Sequence, residues 1–304
     1  TEVQRLVQSS LALNTWNLYE SALKSFNVFR ISFSLPHIWP TPVDHLMHFI
    51  AHLSLTGKSP RTAKSYISAL TTWQKLHGMH DLTSHFLIQK ALIGFVRQKQ
   101  KADTRLPITV DLLSVIVTAL PVVCASVYET SLFTAAYLLA FFGFFRISEL
   151  VAGSAKDFSH KACLLSDIHV AADISHITIC LRSSKTDQGG RGVQIQITAI
   201  LHSRLCPVRA MQQFLSIRPP VHGHVFVHFD GRPLNRFQFQ SMLRKALSFS
   251  LPHLNLHLFS SHSFRIGAAT TAAINGVSSK QIQKYGRWKS NCYSKYIRIT
   301  QLTT

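Results

Sequence analysis

Three tyrosines lie close together near the end of the chain, in the stretch YGRWKSNCYSKYIRI. Tyr285, Tyr293 and Tyr296 fall within twelve residues, and Trp288 and several lysines and arginines lie among them. A tyrosine hydroxyl can attack a substrate and form a covalent intermediate with it when other groups activate the oxygen. The same tyrosines could also be ordinary parts of a basic terminal helix. The partners that the rest of the sequence offers decide between these interpretations.

Arg146 is the first candidate partner. It directly follows fourteen apolar residues, LFTAAYLLAFFGFF, which predict a buried helix with Arg146 at its end. Glu149 lies three residues later, and on one helical face it could orient the guanidinium group. A fixed guanidinium suits a phosphate group, because its fork of N–H donors matches two oxygens. The ordinary alternative is an arginine that only stabilises the end of a helix dipole.

Two further stretches carry basic residues that could act on the same substrate. Lys185 lies near the tip of a predicted hairpin, in RSSKTDQGG, where the alternative is a solvated turn lysine. His262 and Arg265, in SSHSFRIGAATTAA, are three residues apart and share one face of a predicted helix. The small residues that follow them predict close packing of this helix against another element. The alternative for this pair is a capping histidine with a surface arginine.

The composition indicates a polyanionic partner. The 304 residues include 32 Lys plus Arg but only 13 Asp plus Glu, which gives a formal net charge of +19 that is spread along the chain. Nucleic acid is the first candidate and an anionic membrane surface the second. The longest apolar run has fourteen residues, which is short for a membrane span. A basic protein with no specific partner is the remaining alternative.

The sequence offers no zinc-type Cys/His spacing and no acidic cluster for Mg²⁺. Cleavage of a phosphodiester would then need a nucleophile, fixed cations around the phosphate and an acid for the leaving oxygen. The five cysteines are widely spaced, which predicts reduced, buried thiols and an intracellular protein. The first residues show no signal-peptide pattern and no Met, which suggests a domain excised from a longer chain.

Three segments must position these residues. Residues 1–100 predict helices, and Ser59 followed by Pro60 marks the start of one of them. Residues 101–108 are polar, basic and contain a proline, which is typical of a linker. Residues 109–304 predict further helices and one hairpin, in HITICLRSSKTDQGGRGVQIQIT, where two β-branched runs flank a Gly-Gly turn. The predicted fold class is mainly α with a small antiparallel β-sheet.

Taken together and in this order, these residues resemble the tyrosine recombinase (integrase) family, whose catalytic set runs Arg, Lys, His-x-x-Arg, His or Trp, Tyr. The segments RISEL, SHSFRIGAAT and GRWKSNCYSKYIR look most like recombinases of the DIRS and Ngaro type eukaryotic retrotransposons. The resemblance covers nearly the whole chain. It implies a helical core-binding domain over 1–100 and a catalytic domain over 109–304, which together form a C-shaped clamp on DNA.

The resemblance also implies a role for each candidate residue. Tyr296 would attack a DNA phosphodiester to form a 3′-phosphotyrosine, and Lys185 would protonate the leaving 5′-oxygen. Two arginines would hold the phosphate, Glu149 would support the first of them, and the histidine would assist proton transfer: these are Arg146, Arg265 and His262. Neither ATP nor a metal would be required. Tyr293 is then expected to be structural, and Tyr285 to lie in the core.

The sequence departs from the family pattern at one position. The nucleophile of the family lies nine residues after a His or Trp that directly follows a glycine. Counted from Gly286, that position holds Arg287, and Trp288 comes one residue later. We expect Trp288 to take this role, packing against Tyr296 and donating its indole N–H to the phosphate. Arg287 is the alternative, and it is also a candidate DNA contact.

Basic residues outside the catalytic set are candidates for contacts with the DNA backbone. Three of them lie at the start of the SPRTAKSYISAL helix, where cations and free N–H groups suit phosphates. Three others lie in or beside the linker. A solvated basic face is the alternative. The full set is Lys58, Arg61, Lys64, Lys99, Lys101, Arg105 and Arg287.

The predicted function is that of a site-specific recombinase that cuts and rejoins double-stranded DNA without a cofactor, for integration of a mobile element. Four copies on two duplexes would carry out strand exchange, and the protein without DNA would be a monomer or dimer. A eukaryotic origin would place it in the nucleus. Two alternatives remain: a DNA-binding protein derived from such an element that no longer cleaves, and a DNA-relaxing enzyme like the type IB topoisomerases.

Overall fold

The computed structural model describes residues 1–99, 103–154, 162–182 and 192–299. It divides the chain into two compact units, Thr1–Asp103 and Thr104–Thr304. The fold is mainly helical with a small antiparallel sheet, which confirms the predicted fold class. In the part of the chain that the structure describes, no helix is both long and apolar enough to cross a membrane.

The first unit is entirely helical in its described residues. Phe26 and Phe49 centre its core, and their rings meet edge to face at 5.0 Å. Ser59 caps a helix as predicted: its side chain accepts a hydrogen bond from the Thr62 amide at 3.0 Å, and Pro60 occupies the first helical position. The helices are α1 (Glu2–Ser9), α2 (Leu13–Ser32), α3 (Val43–Leu55), α4 (Pro60–Leu76) and α5 (Phe86–Lys99).

The second unit surrounds one apolar helix. This helix is α7, which is buried along most of its length and packs against α6, α9 and α11. The helices of the unit are α6 (Val110–Val123), α7 (Val127–Phe142), α8 (Ile147–Leu150), α9 (Pro207–Ile217), α10 (Arg236–Ser250), α11 (Ser261–Ile274) and α12 (Ser279–Tyr285). Short 3₁₀ helices cover Leu165–Asp167, Leu256–Leu258 and Asn291–Tyr296.

A three-stranded antiparallel sheet lies within this unit, in the order β1 (Ile168–Val170), β2 (His176–Leu181) and β3 (Val193–Thr198). The register of the predicted hairpin pairs His176 with Thr198 and Leu181 with Val193. Strands β2 and β3 therefore form the hairpin that the sequence predicts. Its tip, and with it Lys185, falls in 183–191, outside the described residues.

The apolar helix ends earlier than predicted. α7 stops at Phe142, and the chain turns through Phe144, whose φ of +49° lies in the left-handed region. The turn buries Phe144 and Phe145 against the core. Arg146 is consequently the N-cap of α8 and not the last residue of α7. The hydrophobic run could not reveal this break, because the residues of the turn are themselves apolar.

The end of the predicted linker belongs to the second unit. Ile108 is fully buried, and its amide donates to the Ser263 carbonyl of α11 at 3.0 Å. This close approach requires a glycine at 267, since a Cβ there would lie 1.8 Å from the Ile108 carbonyl oxygen. Gly267, one of the small residues of α11, therefore packs against Ile108, in line with the close packing that the sequence predicts for this helix.

We expect Gly267→Ala to destabilise the second unit by about 1–3 kcal/mol, because the added methyl group overlaps backbone that cannot move aside as a side chain could. Thermal and urea unfolding would measure the loss. Gly94→Ala, in α5, is the matched control, since a Cβ at that position meets no atom within 4 Å. Equal stability of the two variants would contradict the packing described here.

The expectation of buried thiols is correct for only part of the set. All five cysteines are free, and Cys163 and Cys206 are buried. Burial raises the pKa of the Cys163 thiol to about 12. Cys180 and Cys292 are exposed, on β2 and on the last 3₁₀ helix. These two thiols are exposed because both residues lie at the surface, in short elements whose outer face is open to solvent.

Candidate active site

Glu149 is the anionic centre of a group of arginines in the second unit. Its carboxylate accepts from Arg146 twice: Oε1 from Nη1 at 2.8 Å, and Oε2 from the backbone amide at 2.9 Å. Oε2 also accepts from Arg287 Nη2 at 2.9 Å. Burial works against ionisation of Glu149, but Arg287 and Arg146 outweigh it and hold the carboxyl pKa below its ordinary value. The predicted support of Arg146 by Glu149 is thus present, through the cap of α8.

Arg265 lies behind this group on α11 and is fully buried. Its Nη1 donates to the Phe144 carbonyl and its Nη2 to the Gly286 carbonyl. Burial, together with the positive charges of Arg146 and Arg287, lowers the pKa of its guanidinium to about 9. Arg265 remains protonated at neutral pH, and the site carries more positive than negative charge.

Tyr296 lies at the end of the last 3₁₀ helix, with its ring against three of the predicted residues. The ring centroid is 4.7 Å from that of Trp288 and 5.0 Å from that of His262. The Arg265 guanidinium carbon is 5.7 Å from the Tyr296 ring and 4.3 Å from the Trp288 ring. Thr270 of α11 fixes the backbone, since its hydroxyl donates to the Tyr296 carbonyl at 3.1 Å.

Trp288 lies next to Tyr296, as expected from the sequence. It is 6% exposed, and its indole Nε1 has no hydrogen-bond partner among the described residues. Gly286 makes room for it, because a Cβ at 286 would lie 1.7 Å from the Trp288 ring. The glycine before this position is therefore required by packing.

Arg287 points inwards. Its side chain is 8% exposed, and it donates to Glu149 and to the carbonyls of Gly143, Phe144 and Tyr285 at 2.9–3.2 Å. Its φ is +55°, a left-handed conformation that is uncommon for a residue other than glycine. In the described residues the guanidinium of Arg287 is thus occupied inside the protein, and its assignment as a DNA contact stays a prediction.

The other two tyrosines lie outside this arrangement. Tyr293 is half-buried, and its ring is 6.5 Å from that of Trp288. Tyr285 is 50% exposed, so the expectation that it lies in the core is wrong. Its ring lies beside that of Phe144 at 5.9 Å, at the edge of the turn after α7.

The structure thus brings together six of the seven predicted catalytic residues: Arg146, Glu149, His262, Arg265, Trp288 and Tyr296. The seventh, Lys185, lies outside the described residues. Sequence reasoning missed the ion pair of Arg287 with Glu149. The signal for it was the arginine found where the resemblance leads one to expect His or Trp. In the described ranges, no group of three or more His, Cys, Asp or Glu side chains is placed to hold a metal ion.

Four of the predicted DNA contacts meet in the first unit. Lys58, Arg61, Lys64 and Lys99 are exposed and line one concavity at the start of α4 and the end of α5. The Lys99 ammonium donates to the Ser54 carbonyl, which fixes it at this edge. Lys101 lies outside the described residues. Arg105 belongs to the second unit, where it is half-buried and its carbonyl accepts from Arg298.

Comparison with known proteins identifies the family. The model of the phage integrase family matches residues 134–301, more than half of the chain. The chain belongs to the phage integrase family. All seven predicted catalytic residues lie within the matched range, and the whole of the first unit lies before it.

A curated relative of this chain is described as an integrase/recombinase xerD homolog of Selenomonas ruminantium. The two are 31% identical over 163 residues, which cover 50% of this chain and 42% of the relative. The match therefore spans less than half of that protein.

Two solved structures share the fold. One is the Tn1549 transposon integrase in complex with a circular intermediate DNA, with a TM-score of 0.64, 13% identity, and coverage of 98% of this chain and 93% of that one. The other is a lambda integrase tetramer bound to a Holliday junction, with a TM-score of 0.59, 16% identity, and coverage of 95% and 75%. Both likenesses extend over the two units of this chain.

Proposed function

We propose that this protein is a site-specific DNA recombinase that cuts and rejoins double-stranded DNA through a covalent tyrosine intermediate. The observation that carries the proposal is the position of Tyr296. Its ring is enclosed by His262 and Trp288, in front of the buried guanidinium of Arg265. With Tyr296 as nucleophile, His262 as proton acceptor and Arg265 as the fixed cation beside them, this arrangement would supply what phosphoryl transfer to a protein side chain needs.

The proposed reaction follows from these positions. The Tyr296 oxygen forms a bond to phosphorus and gives up its proton, with His262 as the nearby group that assists the transfer. The bond from phosphorus to the 5′-oxygen breaks, and its electron pair leaves with that oxygen, which takes a proton from Lys185. A 3′-phosphotyrosine and a free 5′-hydroxyl result. Rejoining is the reverse attack by the 5′-hydroxyl of a partner strand, so the energy of the phosphodiester bond is conserved.

The charges of the site support a role in stabilising this reaction. Negative charge grows on the non-bridging oxygens as phosphorus is attacked, and fixed donors in a partly dry site stabilise it without reorganisation. Arg146 and Arg265 are held by carboxylate and carbonyl groups before substrate binds. The buried indole N–H of Trp288, which has no hydrogen-bond partner among the described residues, would be a further donor. We propose that these three groups hold the phosphate, with no ATP or metal involved.

The setting of this reaction belongs to the same proposal. We propose that double-stranded DNA contacts the basic concavity of the first unit, and that four copies act on two duplexes, as in the lambda integrase tetramer with its Holliday junction. The segments RISEL, SHSFRIGAAT and GRWKSNCYSKYIR support an origin in a DIRS or Ngaro type retrotransposon. Integration of such an element, and a nuclear location, follow from that origin.

The deciding experiment is to trap the intermediate. The protein is incubated in EDTA with nicked duplexes that carry the ends of candidate elements, denatured with SDS, and examined for a protein–DNA adduct. We expect an adduct in EDTA, with the DNA remnant on the peptide that contains Tyr296 when the digest is analysed by mass spectrometry. Tight DNA binding without any adduct on a broad panel of ends would support the non-cleaving alternative. Relaxation of supercoils without strand exchange would support the topoisomerase-like one.

A further inference from the structure

Arg287 binds three parts of the second unit at once. Through Nη2 it reaches the Glu149 carboxylate at 2.9 Å and the Phe144 carbonyl at 3.1 Å. Through Nη1 it reaches the Gly143 carbonyl at 3.1 Å and the carbonyl of its own neighbour Tyr285 at 3.2 Å. One guanidinium thus links the turn after α7, the first residues of α8 and the segment after α12.

Two of these four bonds end on an acceptor shared with an arginine proposed to hold the phosphate. Glu149 presents one oxygen to Arg287 and the other to the Arg146 guanidinium. The Phe144 carbonyl accepts from Arg287 and from Arg265. Arg287 therefore fixes the two acceptors on which Arg146 and Arg265 depend, although its own side chain is turned away from solvent.

The backbone at Arg287 also favours a specific role. A left-handed conformation is strained for a residue other than glycine, and the surrounding contacts must compensate for it. Phe144, the residue whose carbonyl the two arginines share, has a φ of +49°, and Arg287 has a φ of +55°. Two such residues therefore face each other across one hydrogen bond, and this strain directs the guanidinium inwards while Trp288 faces the tyrosine.

We propose that Arg287 is a positioning residue for the cleavage reaction, which acts by holding Glu149 and the Phe144 carbonyl in place for Arg146 and Arg265. The proposal rests on the recombinase function proposed above. It assigns Arg287 no contact with DNA. Its loss must therefore slow the chemical step and leave DNA affinity unchanged.

The test compares Arg287→Met, Arg287→Lys and wild type in single-turnover cleavage at saturating DNA. We expect the Met variant to cleave about 10²-fold more slowly, because small displacements of groups around a reacting centre have effects of this size. The Lys variant should recover part of the rate, since an ammonium can reach Glu149 but cannot also hold two carbonyls. Arg218→Met is the matched control: Arg218 also holds three carbonyls, at 2.8 Å each, in the loop after α9.

DNA binding separates positioning from direct contact. Each phosphate contact that is lost makes the dependence of log affinity on log salt shallower by about one unit. We expect the salt dependence of Arg287→Met to match wild type, and that of Arg61→Met, in the basic concavity, to become shallower. A shallower dependence for Arg287→Met would overturn the proposal, since it would mean that Arg287 contacts DNA.

The dependence of the cleavage rate on pH distinguishes a positioning role from a general loss of stability, which would not shift it. The charged groups that face Glu149 are Arg146 of its own turn, Arg287 after α12 and Arg265 of α11. Loss of Arg287 removes a cation that holds the Glu149 pKa down, so the carboxyl takes up its proton at higher pH. The acid side of the pH–rate profile should move to higher pH in Arg287→Met and stay in place in Arg218→Met.

Failure of the role proposed for Arg287 can be told apart from failure of the proposed recombinase function. If wild type forms no adduct, the proposed function fails, and the role of Arg287 in cleavage fails with it. If wild type forms the adduct and Arg287→Met cleaves at the same rate, only the positioning role is overturned. Should Arg287→Met not fold, a cycle of Arg287→Lys with Glu149→Gln decides: the double variant should lose no more than the worse single variant, and additive losses would overturn the proposal.

Discussion

Tyr296→Phe is expected to abolish the covalent protein–DNA adduct and all strand cleavage, while DNA affinity and stability stay near those of wild type. The substitution removes one oxygen and leaves the ring, whose contacts with Trp288 and His262 fix the end of the chain. The backbone anchor to Thr270 is also unaffected, because it uses the Tyr296 carbonyl. Denaturing gels on nicked duplex, with binding and melting measured in parallel, give all three quantities.

Tyr293→Phe is the matched control for this prediction. Tyr293 lies on the same 3₁₀ helix and is also half-buried, so its loss of a hydroxyl tests any general effect of removing oxygen there. Its ring lies farther from that of Trp288, at 6.5 Å against 4.7 Å for Tyr296. The adduct should persist in Tyr293→Phe. If Tyr293→Phe lost the adduct and Tyr296→Phe kept it, the nucleophile would be Tyr293 and the prediction would be wrong.

The fold class and most site residues could be predicted from the sequence, because they follow from patterns of residues close together in the chain. Ser59 with Pro60 specifies a helix start by local capping, and the β-branched runs of β2 and β3 flank a glycine turn. Arg146 and Glu149 are three residues apart and meet across one turn of backbone, so their ion pair could also be predicted from the spacing. Such features depend on residues only a few positions apart.

The features that the sequence did not reveal depend on residues far apart in the chain. The bond between Arg287 and Glu149 joins positions separated by 138 residues, and Phe144 and Arg287 beside it are both left-handed. No local pattern predicts a positive φ at Phe or Arg, since the cost is compensated only by tertiary contacts. The position of Tyr285, which was expected in the core and is 50% exposed, likewise depends on a distant residue, since its ring lies beside that of Phe144.

The inward position of Arg287 changes how the departure from the family pattern is understood. With Arg287 occupied by Glu149 and three carbonyls, Trp288 is left to pack against Tyr296. The chain therefore keeps an aromatic N–H donor beside the tyrosine and adds a buried cation behind it. This extra charge must be balanced within the protein, and Glu149 is the carboxylate that does so.

Arg265→Lys is expected to reduce the rate of cleavage by about 10²–10³-fold, the usual cost of losing one preorganised donor to a developing negative charge. Arg265 donates to the Phe144 and Gly286 carbonyls from two separate nitrogens, and its guanidinium carbon lies 4.3 Å from the centroid of the Trp288 ring. A lysine ammonium is a single point charge on a flexible stem, so it cannot keep both carbonyls and also face the phosphate. Single-turnover rates at saturating nicked DNA measure the loss.

Arg218→Lys controls for the loss of a guanidinium that binds carbonyl groups. Burial lowers the pKa of Arg218 as it does that of Arg265, and Arg218 donates to the carbonyls of Pro219, His224 and Val225. Both variants should lose some stability, because each leaves carbonyls without a donor. Only Arg265→Lys should lose cleavage, since only Arg265 lies within reach of the Tyr296 ring. A proportional loss of rate and stability in both variants would mean that Arg265 serves the fold and not the phosphate.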